Sequence, residues 1–445
     1  MTRKPYLAYR DSGIPWLGQI PAHWKVKRLK HVADVTFSSV DKHSYEDEKS
    51  VFLCNYVDVY KNEQITPEIE FMRATASTDE IRRFKLKKDD VLITKDSESW
   101  NDIANPAYVP SDFENVICGY HLALLRPKSD EIDGQFLFRA LQARPVNYQF
   151  EVEATGITRY GIDQYAIGST IFLLPPLPEQ RAIAAYLDRQ TAKIDALIAK
   201  KQRLLELLAE QRAALISRAV TKGLNPAVEM KESGVPWLGQ VPKHWEVKPY
   251  KFLTTRVDVG IAEAATHAYC NVGVPIIRTT NVRPNKISMG DLLFIEDWFA
   301  EKNKSKYLYK GDIVTVRTGK PGTSAVIPEE LNKSQCFTML VSTLKENYSP
   351  QFYSFFLNSK PAQMMFELEG WGTAQTNISV PILKQLLVVI PPFQEQQEIV
   401  VYIGDALGNL DGLINKITTA IERLCEYRAA LISSAVTGKM KVTTE

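Results

Sequence analysis

At 445 residues the chain is long enough for two or three hydrophobic cores rather than one, and 45% hydrophobic with 24% charged residues is ordinary globular composition. A formal net charge of +2 gives little support to a phosphate-binding surface, which usually shows a visibly basic face. The longest apolar runs, such as the one ending Leu386 to Ile390, are too short to cross a bilayer, and the opening MTRKPYLAYRD lacks the apolar core of a secretion signal. A cytoplasmic protein that makes no contact with a membrane is expected.

In chain order, the first distinctive element is SGIPWLGQIPAHWKVK at 12–27, which returns as SGVPWLGQVPKHWEVK at 233–248, an offset of 221. A second pair begins PPLPEQRAIAAYLDRQ at Pro175 and PPFQEQQEIVVYIGDA at Pro391, an offset of 216. Between these repeated frames lie two middle regions, 31–174 and 252–390, that share little sequence. Their common skeleton is slight: Leu86, Asp90 and Val91–Thr94 match Leu308, Asp312 and Ile313–Thr315, and Gly156 falls opposite Gly372. One fold presenting two different surfaces is expected.

Within the middles, period and residue type predict strands at Val51–Val59, Val91–Thr94, Leu122–Leu125, Pro275–Thr279, Ile313–Val316 and Leu386–Ile390. Short helices are predicted at Gln135–Leu141 and Gln351–Leu357. After each Pro-Pro, a long helix is predicted, uninterrupted by proline or glycine over 179–221, with Glu179 or Glu395 near its positive end. Apolar positions Leu410, Ile414, Ile417, Ile421, Leu424 and Leu431 alternate steps of four and three; the first copy offers Ile194, Ile198, Lys201, Leu205, Leu208 and Leu215. That is a coiled-coil seam. A helix of about 40 residues runs about 60 Å and needs a partner. Pairing between two chains is the commoner arrangement, but the duplication lets the two helices pair antiparallel within one chain. Lys201 and Gly404, Gly408 and Gly412 are expected to loosen the early turns.

The segments divide as a frame segment 1–30, the middle 31–174, a helical spacer 175–222, the repeated frame and linker 223–251, the second middle 252–390, the second spacer 391–437 and a tail 438–445.

Catalytic readings fail on spacing. Asn105-Pro106-Ala107-Tyr108 lacks the second proline of an adenine-methyltransferase motif and reads as a turn; Thr318 to Thr323 has phosphate-loop composition without the required spacing. The five cysteines, Cys54, Cys118, Cys270, Cys336 and Cys425, are scattered and suggest reduced, mostly buried thiols rather than disulfides or a metal site. No catalytic, cofactor-binding or metal-ligating residue is assigned. His23 and His244 recur in the frame, which speaks for structure, and Trp16, Trp24, Trp237 and Trp245 read as core or docking residues. What remains are loops whose cationic, amide and hydroxyl groups suit phosphates and base edges. They hold Lys95, Ser97, Ser99 and Trp100; Thr158, Arg159 and Tyr160; Arg278 and Asn281; Arg317, Thr318 and Lys320; and Thr373, Gln375 and Asn377.

The paired S-G-[IV]-P-W-L-G-Q segments, the P-P-x-x-E-Q openings and the Q-R or Y-R-A-A-L-I-S-x-A-V-T helix ends together resemble the specificity subunit of Type I restriction-modification enzymes across essentially the whole chain. The resemblance implies an α+β chain: two mixed α/β target recognition domains separated by a pair of long antiparallel helices forming a coiled coil, with a pseudo-twofold internal repeat. It also implies a non-catalytic DNA reader of a bipartite, asymmetric target. The implied partners are double-stranded DNA, two modification subunits and two restriction subunits, with S-adenosylmethionine, ATP and Mg2+ used by those partners and none by this chain. A subunit of a methylation-only complex fits the same sequence. From another class, so does a coiled-coil scaffold binding proteins.

Overall fold

The computed structural model describes residues 5–263, 265–369 and 377–442. It divides into two compact units, one of residues 1–201 with 419–445, the other of residues 202–418. Two long helices, Leu177–Lys222 and Phe393–Val436, each contribute to both units; they are called the first and second spacer helices.

In the first unit a four-stranded antiparallel sheet takes the order Ala33–Phe37, Leu122–Pro127, Val91–Thr94, Pro106–Tyr108. Successive side chains on a strand point to opposite faces, and both faces here are covered. Val91, Ile93, Ala123 and Leu125 enter one core, while Leu92, Leu122 and Leu124 enter another. The second core is closed by a three-stranded sheet in which Lys49–Cys54 pairs parallel with Val116–Cys118 and antiparallel with Met72–Ala76. The first core is closed by helices Gly134–Leu141 and Arg144–Glu153 and by the start of the first spacer helix.

The second unit repeats this plan with different residues. Its four-stranded sheet runs Thr254–Val259, Leu340–Leu344, Ile313–Thr315, Ser324–Val326. Ile313 and Leu340 point into one core, Val314 and Val341 into another. Val274–Ile277 again pairs parallel with one neighbour, Gln335–Cys336, and antiparallel with the other, Leu293–Ile295. The aspartates of the sparse common skeleton explain its survival: Asp90 accepts from the Lys87 amide at 2.8 Å and Asp312 from the Tyr309 amide at 2.9 Å, closing the turn that leads into each central strand. Asp90, almost fully buried, is also paired with Arg126 at 2.7 Å, as a buried carboxylate must be.

The frame motifs form the same local structure twice. Tyr9–Asp11 pairs with Gln19–Pro21 and Met230–Glu232 with Gln240–Pro242. The intervening turns need glycine, since Gly13, Gly18, Gly234 and Gly239 have φ of 74°, 65°, 76° and 65°. His23 Nε2 meets Glu179 at 2.8 Å in one unit and His244 Nε2 meets Glu395 at 2.9 Å in the other. The neighbouring glutamines are buried: Gln180 binds the Pro175 and Glu131 carbonyls and Gln396 the Pro391 carbonyl. Trp24 and Trp245 are core residues, whereas Trp16 is half exposed.

Each unit holds part of an antiparallel helix pair. In the first, Asp195 bonds Arg428 at 2.9 Å, while Ala182, thirteen residues earlier, shares a recess with Lys441. Ile194 and Leu431 are buried there with Ile198 and Leu424 packed alongside, and Ile421 is half-buried. In the second, Arg212 pairs with Asp411. Leu208 and Ile417 are buried, and Leu205, Leu215, Leu410 and Ile414 are half-buried. Gly404, Gly408 and Gly412 face open space, and the second spacer helix passes through them without a break.

Three local expectations are corrected. The run Val51–Val59 is a strand only to Cys54; Asn55 and Asp58 then form a capping box that starts the helix Tyr56–Lys61. Residues Pro106–Tyr108 are a sheet strand, not a turn. The strand predicted to Thr279 ends at Ile277, and Thr279–Asn281 is a 3-10 turn. All five cysteines are free; Cys54, Cys118 and Cys336 are buried, Cys270 is half-buried and Cys425 exposed. Among the described residues no helix is long and apolar enough to cross a membrane.

Candidate nucleic-acid interface

In the first unit the loop that follows the central strand and the loop around Gly156 meet. The Ile162 amide donates to the Lys95 carbonyl at 3.0 Å, and Asp96–Ser97 pairs with Tyr160–Gly161, which pairs in turn with Thr155–Gly156. Gly156, at φ 152°, is required: a Cβ there would lie 2.0 Å from the Arg159 carbonyl oxygen. This hairpin presents Ile157, Thr158 and Arg159 to solvent.

Asp96 anchors the cluster. Its Oδ1 accepts from Arg159 Nη2 at 2.7 Å, and its Oδ2 meets His121 Nδ1 at 2.8 Å. Lys95 lies over the rings of Phe37 and Tyr120, 4.9 and 4.4 Å from their centroids, a cation–π placement. Opposite, Tyr56 and Tyr60 stack at 5.5 Å, and the Tyr60 hydroxyl donates to Asp102 at 2.7 Å. Burial pushes the Tyr56 phenol up, the bond to Ser97 opposing it. Tyr56, Tyr60, Ser97, Glu98, Asp102, Thr158 and Arg159 together line an open recess of about 730 Å³.

The other predicted residues of this unit serve the loop. Ser97 is buried and accepts from the Ser99 amide, the Ser99 hydroxyl donates to Asn101, Trp100 is half exposed, and Tyr160 packs partly against the core. Sequence reasoning misses Tyr56 and Tyr60, because residue type over Val51–Val59 favours strand, and it misses Asp96, Asp102 and His121. The Asn55-x-x-Asp58 spacing was the available signal for the helix start.

In the second unit the corresponding bond is present: the Ile378 amide donates to the Arg317 carbonyl at 3.1 Å. Arg317 Nε also donates to the Ile378 carbonyl, at 3.1 Å, while Thr318, Lys320 and Asn377 are exposed beside it. Thr373 and Gln375, with Gly372, lie outside the described residues. Arg278 is half-buried and bonds the Asp291 carbonyl at 2.6 Å. Asn281 does not face solvent. It is 2% exposed, accepts from the Arg278 amide and donates to the Gly290 carbonyl, so it holds a turn instead of reaching a base.

These features define a class of protein: one mixed α/β fold used twice, with the same main-chain bond at the corresponding place in each copy, and long spacer helices whose ends bind a repeated frame. The chain belongs to the family of the Type I restriction modification DNA specificity domain, whose model matches residues 21–207 and 263–423. Among its relatives, the specificity subunit of the Type I restriction enzyme EcoKI from Escherichia coli K12 is 23% identical over 368 residues, 80% of this chain and 76% of that one. Among solved structures, a chain from work on complex assembly and conformational transition of the type I R-M system gives a TM-score of 0.69 at 13% identity, covering 94% of this chain and 98% of that one. The HsdS subunit of Thermoanaerobacter tengcongensis gives 0.51 at 14% identity, covering 95% and 98%.

Proposed function

We propose that this chain reads a bipartite, asymmetric DNA target, one half-site per recognition domain, and docks two adenine-N6 modification subunits that carry out the methylation. Restriction subunits would join the same assembly, and S-adenosylmethionine, ATP and Mg2+ would serve those partners. One observation supports the reading above the rest. In each unit the same amide-to-carbonyl bond recurs between segments of divergent sequence, Ile162 to Lys95 and Ile378 to Arg317, so a common scaffold carries two different sets of side chains. A scaffold that binds one protein with both domains has no use for such divergence.

The test is genome-wide mapping of methylated adenines in cells expressing the chain with its modification subunit. A two-part motif is expected, and replacing residues 252–390 by the middle region of a relative should rewrite one half and leave the other. A contiguous motif, or both halves changing together, would overturn the reading. Adding whole turns to both spacer helices is expected to widen the gap between half-sites by about 1.5 Å per residue. With a net charge of +2, much of the phosphate contact is assigned to the modification subunits. Binding by the isolated chain is therefore expected to be weak, and strong, steeply salt-dependent binding would refute that division.

A further inference from the structure

We infer that Arg159 reads the guanine of a G·C base pair in the half-site of the first recognition domain, with Asp96 and His121 as the positioning residues that aim it. The inference rests on the DNA-reading function proposed above and names a base and a residue within it.

The Arg159 side chain is 56% exposed, whereas Asp96 is only 16% exposed. One terminal nitrogen of the guanidinium is held by Asp96 at 2.7 Å and passes His121 Nδ1 at 3.4 Å; no other hydrogen bond of its side chain is found among the described residues. A flexible side chain is thus held by one edge while its remaining donors face the recess. Arginine pairs bidentately with guanine O6 and N7, and prior fixation of the guanidinium lowers the ordering cost of that contact. His121, in contact with the other oxygen of Asp96, keeps the carboxylate from turning away.

A phosphate contact is the competing use of an exposed arginine, and the surrounding charge opposes it. Asp96 binds Arg159 directly, and Glu98 and Asp102 line the same recess, so a phosphate would meet three carboxylates. A base edge is neutral and carries donors as well as acceptors. Asp102 is engaged by Tyr60 and by Asn105 Nδ2, whereas Glu98 is exposed at the rim of the same recess, and a carboxylate is a group that accepts from a cytosine N4 amine. An arginine beside a carboxylate therefore matches the major-groove face of G·C.

The experiment compares methylation motifs of the full complex carrying wild-type chain, Arg159→Ala, Arg159→Lys or Asp96→Asn. The wild type must first give a two-part motif; if it does not, the function proposed above fails. Given that motif, Arg159→Ala should make one G·C position of one half-site degenerate, with about 10- to 100-fold lost discrimination, and leave every other position intact. Arg159→Lys, which keeps charge but not the fork, and Asp96→Asn should relax the same position to a smaller extent. An unchanged motif in these variants, or methylation that falls evenly at all sites with the motif preserved, would overturn the assignment; the second result would mark a phosphate contact.

Discussion

The arginine of the repeated helix end occurs twice, as Arg428 and Arg212, and its two settings predict unequal costs of removal. Arg428 is 19% exposed and bonds both Asp195, at 2.9 Å, and Glu63. Glu63 in turn binds Arg139, a guanidinium only 4% exposed, at 3.2 Å, and Arg139 is held by Asp188 at 2.7 Å. Arg212 is 38% exposed and pairs with Asp411, itself 52% exposed. A sheltered charge-assisted bond contributes about 1.5–3 kcal/mol, an exposed pair about 0.2–1 kcal/mol. The partners of Arg428 recover water on truncation, being 42% and 48% exposed, so the lower part of the first range applies. Arg428→Ala is therefore expected to cost about 2 kcal/mol and Arg212→Ala about 0.5 kcal/mol. For units of this size, 1 kcal/mol moves the midpoint by about 2–4 °C. Differential scanning calorimetry should show Arg428→Ala lowering the transition of its own unit by about 4–8 °C and Arg212→Ala lowering that of the other by about 1–2 °C. A double-mutant cycle with Glu63→Ala should return a favourable coupling energy for the Glu63–Arg428 pair. Equal shifts, or a larger shift from Arg212→Ala, would refute the reasoning.

Trp245 Nε1 donates to Glu395 at 3.0 Å, whereas Trp24 Nε1 is buried without a partner among the described residues. The two replacements remove similar volume, so Trp245→Phe should cost about 1.5–3 kcal/mol more than Trp24→Phe in denaturant titrations, the excess being the lost bond to a carboxylate. Asn281→Ala should destabilise the second unit by about 1–3 kcal/mol, because the Arg278 amide and Gly290 carbonyl lose their partner, yet leave the methylation motif unchanged. A motif altered at one position would restore Asn281 to the reading surface.

The large-scale plan was legible because it rests on strong periodic signals. The recurrence of P-W-L-G-Q-[IV]-P-x-H-W marked the frame, and the alternating steps from Leu410 to Leu431 marked a helix in need of a partner. The central strands were legible for a related reason: a run such as Val91–Ile93, apolar at every position, suits a strand covered on both faces. The recess was not legible. Tyr56 and Tyr60 sit in a two-turn helix embedded in β-branched and aromatic sequence, where composition favours strand and only the Asn55–Asp58 box reveals the turn. Asp96, His121 and Arg159 are brought together by pairing across more than sixty positions, and no local pattern encodes that. Asn281 was misread for the complementary reason: an amide that suits a base edge is equally suited to closing a turn.

One bond that recurs in both units is made entirely of main-chain atoms, Ile162 to Lys95 and Ile378 to Arg317. Any residue but proline can supply its amide, and any residue its carbonyl. The side chains at those four positions can therefore change without loss of this bond, although Gly156 must stay and Asp96, Arg159 and Arg317 add side-chain links of their own. On the function proposed here, what the loops present is carried by side chains and how they are joined is carried in part by main-chain atoms, so the first can change while this part of the second stays.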